Sequence, residues 1–162
     1  MAFVGQFVSW NGGCIFIGED GGVVPPHSHY AIQLAFGAEH GVGFRTSDRE
    51  EWKRYDGAMI PSRQPHSMDA SGLSANAVLF VEPETRDGRV LQERYLGGGI
   101  TAMPAAAYAM AAALFDAWRS ADRGQIEDRS KALIQSLTGN AEPDAPSAER
   151  ILRAIHYINA HL

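Results

Sequence analysis

Apolar residues in the first part of the chain come in short runs broken by turn formers. Phe7-Val-Ser-Trp10 and Cys14-Ile-Phe-Ile17 flank Asn11-Gly12-Gly13, and an Asn-Gly pair between two such runs is a strong hairpin signal. Further short strands are expected around residues 29–36, 41–46, 52–60 and 76–82, separated by Gly, Asp, Ser and Pro clusters. Asn76-Ala-Val-Leu-Phe-Val81 is continuously apolar after its first residue, as in a strand covered on both faces. Many short strands with frequent turns point to a sandwich or small barrel, and a barrel of this kind can hold one small ligand.

After Gly97-Gly-Gly99 the pattern changes from strand to helix. Residues 102–118 carry a single charge, Asp116, and are dominated by alanine, methionine and leucine. They read as a helix with Pro104 in its first turn. Being apolar nearly all round, this helix is expected to face the barrel on one side and a partner chain on the other, with Leu114 and Phe115 as contact residues. The run is too short and alanine-rich for a membrane span. In a second helix from Gln125 to Leu137, Ile126, Leu133, Ile134 and Leu137 fall on one stripe, and Gly139 ends it. The two helices would form an antiparallel hairpin, and a homodimer through residues 102–137 is expected. Pro143 and Pro146 then mark a linker. Ser147 and Glu149 suit the start of a last helix, whose Ile151, Ile155, Ile158 and Leu162 make one apolar stripe.

Composition narrows the possibilities. A chain of 162 residues fits one domain that buries roughly 70% of its unfolded surface. A single cysteine, Cys14, provides no disulfide framework and reads as a buried, inert thiol. The first residues lack the basic and apolar regions of a signal peptide, so the cytoplasm is the default. A net charge of −5 with scattered basic residues argues against nucleic-acid binding by these residues on their own. No phosphate loop, Cys-x-x-Cys pair or Gly-x-Ser-x-Gly elbow is present.

The chemistry-bearing pattern is His27-Ser-His29, with His66 downstream behind Pro65. Imidazole is the commonest neutral metal ligand. In an extended strand His27, His29, Ala31 and Gln33 would share one face, the wall of a cavity. Ile32, Leu34 and Phe36 would share the other, in the core. The segment Pro61–His66 could return a third imidazole from a neighbouring strand. Trp10, Tyr30, Phe44 and Trp52 are candidate apolar walls, whereas Glu39 and His40 read as loop residues.

Gly21, then five residues, then His27-Ser-His29, Gln33 and Gly37 resembles the first motif of the cupin superfamily. Pro61 and His66 keep the proline-to-histidine spacing of its second motif. There Arg63 replaces a glycine, Ala70 stands for an asparagine, and Gly57 lies closer to Pro61 than the pattern asks. The resemblance implies a mainly β fold with C-terminal helices: a small cupin-like β-barrel of jelly-roll type, plus the helical hairpin. It implies a ligand site at His27, His29, Gln33 and His66. Three of these, His27, His29 and His66, could hold a divalent transition metal such as zinc, nickel, iron or copper. Gln33 stands where metal-binding cupins usually have a glutamate, and it offers only a neutral carbonyl oxygen.

The last residues, Ser147-Ala-Glu-Arg-Ile-Leu-Arg-Ala-Ile-His-Tyr-Ile-Asn-Ala-His-Leu162, resemble the first helix of the DNA-binding region in AraC-type transcriptional regulators. The His-x-His and Pro-x-x-x-x-His segments and the strand ending Phe80-Val-Glu-Pro83 are similar to one branch of that family's sensor domains. This implies a barrel over 1–96, a dimerising hairpin over 97–140, and a linker with the first reader helix over 141–162. A small-molecule effector would bind in the barrel, and DNA would be bound only through a domain beyond this chain. The competing class is a stand-alone metal-dependent cupin enzyme of the dioxygenase or isomerase kind.

Overall fold

A computed structural model describes residues 4–19 and 21–139. The linker and terminal helix expected over 141–162 lie outside the described residues. Strands β1 (Gly5–Trp10) and β2 (Gly13–Gly18) form the expected hairpin, Gly5 opposite Gly18 and Trp10 opposite Gly13. Gly12 at its tip takes φ 93°, a conformation costly for any residue with a Cβ.

Seven strands follow: β3 (Gly22–His27), β4 (Ile32–Gly37), β5 (Val42–Arg45), β6 (Lys53–Tyr55), β7 (Gly57–Ile60), β8 (His66–Ala70) and β9 (Asn76–Val81). All their pairings are antiparallel. β2 pairs with β9 and β4 with β7 in one sheet, β3 with β8 and β5 with β6 in the other. Strands therefore pair first with last, moving inward, and successive pairs alternate between sheets. That is one long hairpin rolled up, an eight-stranded jelly roll of the kind cupins use. Sheet A runs β1-β2-β9-β4-β7-β10, where β10 (Thr101–Ala102) is a short late addition, and sheet B runs β3-β8-β5-β6. The expected strand over 52–60 is in fact two strands in different sheets, divided at Asp56.

β4 lies in the middle of sheet A and is buried on both faces. Its outward residues Ile32, Leu34 and Phe36 join the larger core cluster, with Ile15, Ile17, Leu79 and Val81 from neighbouring strands. Its inward residue Ala35 joins a smaller cluster between the sheets, with Val42, Phe44, Ala58, Ile60 and Met68.

Helices cover the outward face of sheet A. One of them, α1 (Arg86–Tyr95), falls inside the stretch expected to be β-rich. Thr85 caps it by accepting from Gly88 N–H at 3.0 Å, and Leu91 is its fully buried anchor. The helix expected over 102–118 is broken into α2 (Ala105–Tyr108) and α3 (Ala111–Arg119), with Pro104 as the cap residue of α2. Between them Met110 N–H turns back to Ala107 C=O at 3.0 Å, a tight i→i+3 bond. Next, α4 (Arg123–Thr138) packs against α3, as the hairpin reading requires. Asp122 caps it at 3.1 Å from Gln125 N–H, and Gly139 ends it at φ 85°. Its stripe Ile126, Leu133, Ile134 and Leu137 is buried as expected.

Leu114 and Phe115 are not the exposed contact residues that the sequence suggested. They are 0% and 2% exposed, and Phe115 meets Phe36 of β4 edge-on at 5.8 Å between ring centres. These two large side chains of α3 are thus used within the chain. Among the described residues, no helix is long and apolar enough to cross a membrane.

Candidate metal centre

The three histidines converge, though not from one strand. His27 ends β3 in sheet B, and His66 opens β8 directly opposite it. Two prolines, Pro25 and Pro26, shape this end of β3. They cannot donate to the ladder, and they sit on the edge strand of sheet B, where that loss is tolerated. The β3–β8 register shifts between Val24 and His27, and after the shift the two histidines face each other. His29 lies in the connection that carries the chain from sheet B to sheet A, and Gln33 follows on β4. So His27, His29 and Gln33 do not share a strand face, contrary to the sequence expectation. They meet because the chain changes sheets between them.

One ring nitrogen from each of His27, His29 and His66 lies within 4.8 Å of the others. The ring centres are 4.4 Å apart for His27–His66, 5.1 Å for His29–His66 and 5.5 Å for His27–His29. Each Nδ1 meets a backbone carbonyl close in sequence: His27 with Pro25 at 2.8 Å, His29 with Ala31 at 2.9 Å and His66 with Gln64 at 2.7 Å. A carbonyl only accepts, so each Nδ1 carries the proton and donates it. That fixes the tautomer and leaves Nε2 with a lone pair on all three rings. Metal-bound histidines are oriented in this way by their outer partners.

His66 is 1% exposed, and its Nε2 is buried without a hydrogen-bond partner. A buried lone pair without a donor is costly, and a cation or a donor at this point would satisfy it. Burial pushes the His66 imidazole down to about 4, Gln64 partly opposes the shift, and positive charge on His27 or His29 adds to it. Burial also holds His29 below the ordinary histidine range. Both rings are therefore neutral near pH 7, the form that binds metal.

Gln33 completes the group from the inner face of sheet A, where it is 3% exposed. Its Oε1 lies 2.7 Å from His29 Nε2, and its Nε2 lies 3.6 Å from Met68 Sδ on the opposite sheet. With Oε1 there, both His29 nitrogens face acceptors, which suits only the charged ring that burial disfavours. Turning the amide end for end lets its N–H donate to a neutral His29. A metal at this point would displace that contact and meet the carbonyl end instead. No Asp or Glu among the described residues joins the three histidines. Three imidazoles and an amide oxygen fit a divalent ion such as zinc, nickel, copper or iron, with positions left for a ligand.

Arg63 holds the rim. Its N–H donates to His29 C=O at 2.7 Å, which steadies the crossover. It does so at φ 63°, the left-handed conformation that the glycine of the cupin pattern would adopt without strain. Its guanidinium lies 5.2 Å from the centre of the Tyr30 ring.

Of the expected walls, only Phe44 reaches the cluster, 6.0 Å from His66 between ring centres. Trp52 lies under the Arg45 guanidinium, Tyr30 donates to Glu84, and Trp10 packs against the outer core. Glu39 binds Ser74, and His40 turns to Gly41 C=O, both away from the histidines. Sequence reading missed Phe80, which stands edge-on to His29 at 5.0 Å. Its place in a continuously apolar run hid which face it takes. Cys14 lies on the same inner face, opposite Phe80, and burial pushes its thiol up to about 11, in keeping with an inert group.

No family model matches this chain, and no curated protein does. Among solved structures it is similar to a Neisseria meningitidis protein at 13% identity and TM-score 0.41, over 49% of this chain and 84% of that one. It is similar to a cupin superfamily protein of Desulfitobacterium hafniense at 13% identity and TM-score 0.40, over 50% and 78%. A mutant oxalate decarboxylase of Bacillus subtilis matches at 15% identity and TM-score 0.34, over 44% of this chain and 21% of that one. At these scores the cupin-like fold stands on the strand order described above, and the likenesses add no weight to it.

Proposed function

We propose that this chain is the effector-binding and dimerisation region of an AraC-type transcriptional regulator, and that its barrel binds a divalent transition metal through His27, His29 and His66. The carrying observation is that one ring nitrogen from each of the three histidines lies within 4.8 Å of the others, each ring held through Nδ1 by a backbone carbonyl, with no Asp or Glu joining them among the described residues. Such a site binds readily. Among the described residues no Asp or Glu joins the cluster as the second acid or base that proton-transfer catalysis uses, which favours a sensor over an enzyme. The resemblance of residues 147–162 to the first helix of a DNA-binding region supplies the regulator half of the reading. An effector would have to favour one arrangement of the attached reader domains, since equal binding to both shifts nothing.

The helical pair remains the dimer contact in this reading, with the surface moved from Leu114 and Phe115 to the exposed Ala105, Ala106, Ala109 and Ala112. The rival, a metal-dependent cupin enzyme, is favoured by the coordination positions that three histidines leave open.

Two measurements test the proposal. Metal analysis after purification without chelators or a histidine tag should find close to one equivalent, lost in His66→Ala. Under about a tenth of an equivalent in the folded wild type removes the metal centre. Reading the gene past the codon for Leu162 should show a continuing frame of about a hundred residues with two helix-turn-helix patterns. A stop codon there overturns the regulator and moves the enzyme ahead.

A further inference from the structure

The metal reading leaves a charge problem at this centre, and the surrounding residues indicate what resolves it. A divalent ion held by three neutral imidazoles and the Gln33 amide keeps its full double charge. Gln33 and His66 are 3% and 1% exposed and His27 and His29 are half-buried, so that charge would sit partly out of water. A buried charge is expensive unless it is paired, and no Asp or Glu among the described residues joins the three histidines. A glutamate at position 33 would supply the missing negative charge. Glutamine does not, so the balancing anion is supplied from solution, as hydroxide from a bound water or as an anionic ligand.

A second observation gives that anion a body. Opposed residues in an antiparallel pair share a face. Phe80 lies opposite Gln33, and Phe16 is opposite both Phe7 and Val78, the inward neighbour of Ala35, so Phe80, Phe16 and Phe7 share the inner face of sheet A with Gln33. Their rings form a chain leading away from the histidines. Phe80 is 5.0 Å from His29, Phe16 is 6.3 Å from Phe80, and Phe7 is 4.7 Å from Phe16, between ring centres. Phe16 and Phe7 stay 38% and 43% exposed, two of only a few large apolar side chains so open among the described residues. Burying that exposed aromatic surface against an apolar tail would be favourable.

We propose that the centre takes a small monocarboxylate with an apolar tail. Its carboxylate would be bound together with the metal and its tail laid along Phe80, Phe16 and Phe7, and Gln33 would make metal binding conditional on that anion. The inference rests on the metal centre proposed above. Its consequence is linkage: the acid tightens the metal, and the metal tightens the acid by the same factor.

The test is zinc titration of the protein, followed by competition with a chelating dye. It is run alone and with 3-phenylpropionate, with its uncharged amide, or with acetate. In the wild type 3-phenylpropionate should tighten zinc at least about tenfold, acetate less, and the amide less than about twofold. Gln33→Glu should bind zinc without any acid and lose most of the linkage. Phe16→Ser should keep the linkage but erase the advantage of 3-phenylpropionate over acetate. Equal effects of acid and amide on the wild type overturn the proposal without recourse to any variant. Undiminished linkage in a folded Gln33→Glu protein also overturns it. An unchanged preference in Phe16→Ser removes the aromatic shelf. If the wild type and a folded Gln33→Glu protein both fail to bind zinc under every condition, the metal centre itself is wrong, a result distinct from zinc binding without linkage.

Discussion

The neutral state of His66 makes a prediction about acid stability that can be worked through. An unfolded histidine takes up its proton near pH 6.5, whereas the folded chain holds His66 down to about 4. Above pH 7 neither state is protonated at this group, and its contribution does not vary. As pH falls from 6.5 toward 4, the unfolded chain binds a proton that the native chain refuses, and native stability drops. Below the folded pKa both states are protonated and the loss levels off. The shift corresponds to about 3 kcal/mol. The ring is buried, but the neighbouring rings of His27 and His29 are only half-buried. Solvent screening there reduces the expected loss to about 1–2 kcal/mol.

The assay is urea unfolding of the metal-free protein in the presence of a chelator, at several pH values from 7.5 to 4.5. His66→Gln, which cannot titrate, is the reference. Carboxylates shared by both proteins titrate alike and cancel in the difference. The wild type should lose about 1–2 kcal/mol more than the variant across this range, with the gap opening below pH 6.5. Parallel curves would refute the reasoning, because they would mean that His66 accepts its proton as readily folded as unfolded.

Three further outcomes follow from packing and burial. Gly88→Ala, which in most helices would help slightly, should here cost about 2–3 kcal/mol, measured by urea unfolding. Its Cβ would collide with Glu82 O and come within 2.7 Å of Pro83 Cα, both backbone atoms that cannot swing away. Leu114→Ala should cost about 2–5 kcal/mol in the same assay and leave the mass in light scattering unchanged, because the side chain is fully buried within the chain. Cys14, raised from 9.0 to about 11 by burial, should react with a thiol reagent at pH 8 about 100-fold more slowly in the native protein than in urea.

The parts of the fold that were legible in the sequence are those set by neighbouring residues. Asn11-Gly12 sits between two apolar runs and fixes the first hairpin; Ile126, Leu133, Ile134 and Leu137 fix the buried face of α4. α1 was not legible because Arg86–Tyr95 carries too few apolar residues for a stripe; its one fully buried side chain is Leu91. The break at Asp56 was hidden because β6 and β7 read as one run, and only tertiary pairing sends them to different sheets.

The histidines show how a correct residue set can come from an incorrect local picture. Period-two alternation grouped His27, His29 and Gln33 and put Ile32, Leu34 and Phe36 opposite. Within β4 that alternation holds: Gln33 reaches Met68 across the barrel while its apolar neighbours lie under the helices. Between His27 and Gln33 it does not hold, because the chain leaves sheet B after Pro25-Pro26-His27 and enters sheet A at Ile32. Rolling up the jelly roll brings the two sheet faces together at this crossover, so the inward side chains on either side of it meet even though no strand joins them. His29, on the crossover itself, has no strand to set its direction. The bonds from its Nδ1 to Ala31 C=O and from Arg63 N–H to its own carbonyl hold it instead. The second of these bonds comes from a residue in left-handed backbone, which ties the strained position of the second motif to the aim of a histidine in the first.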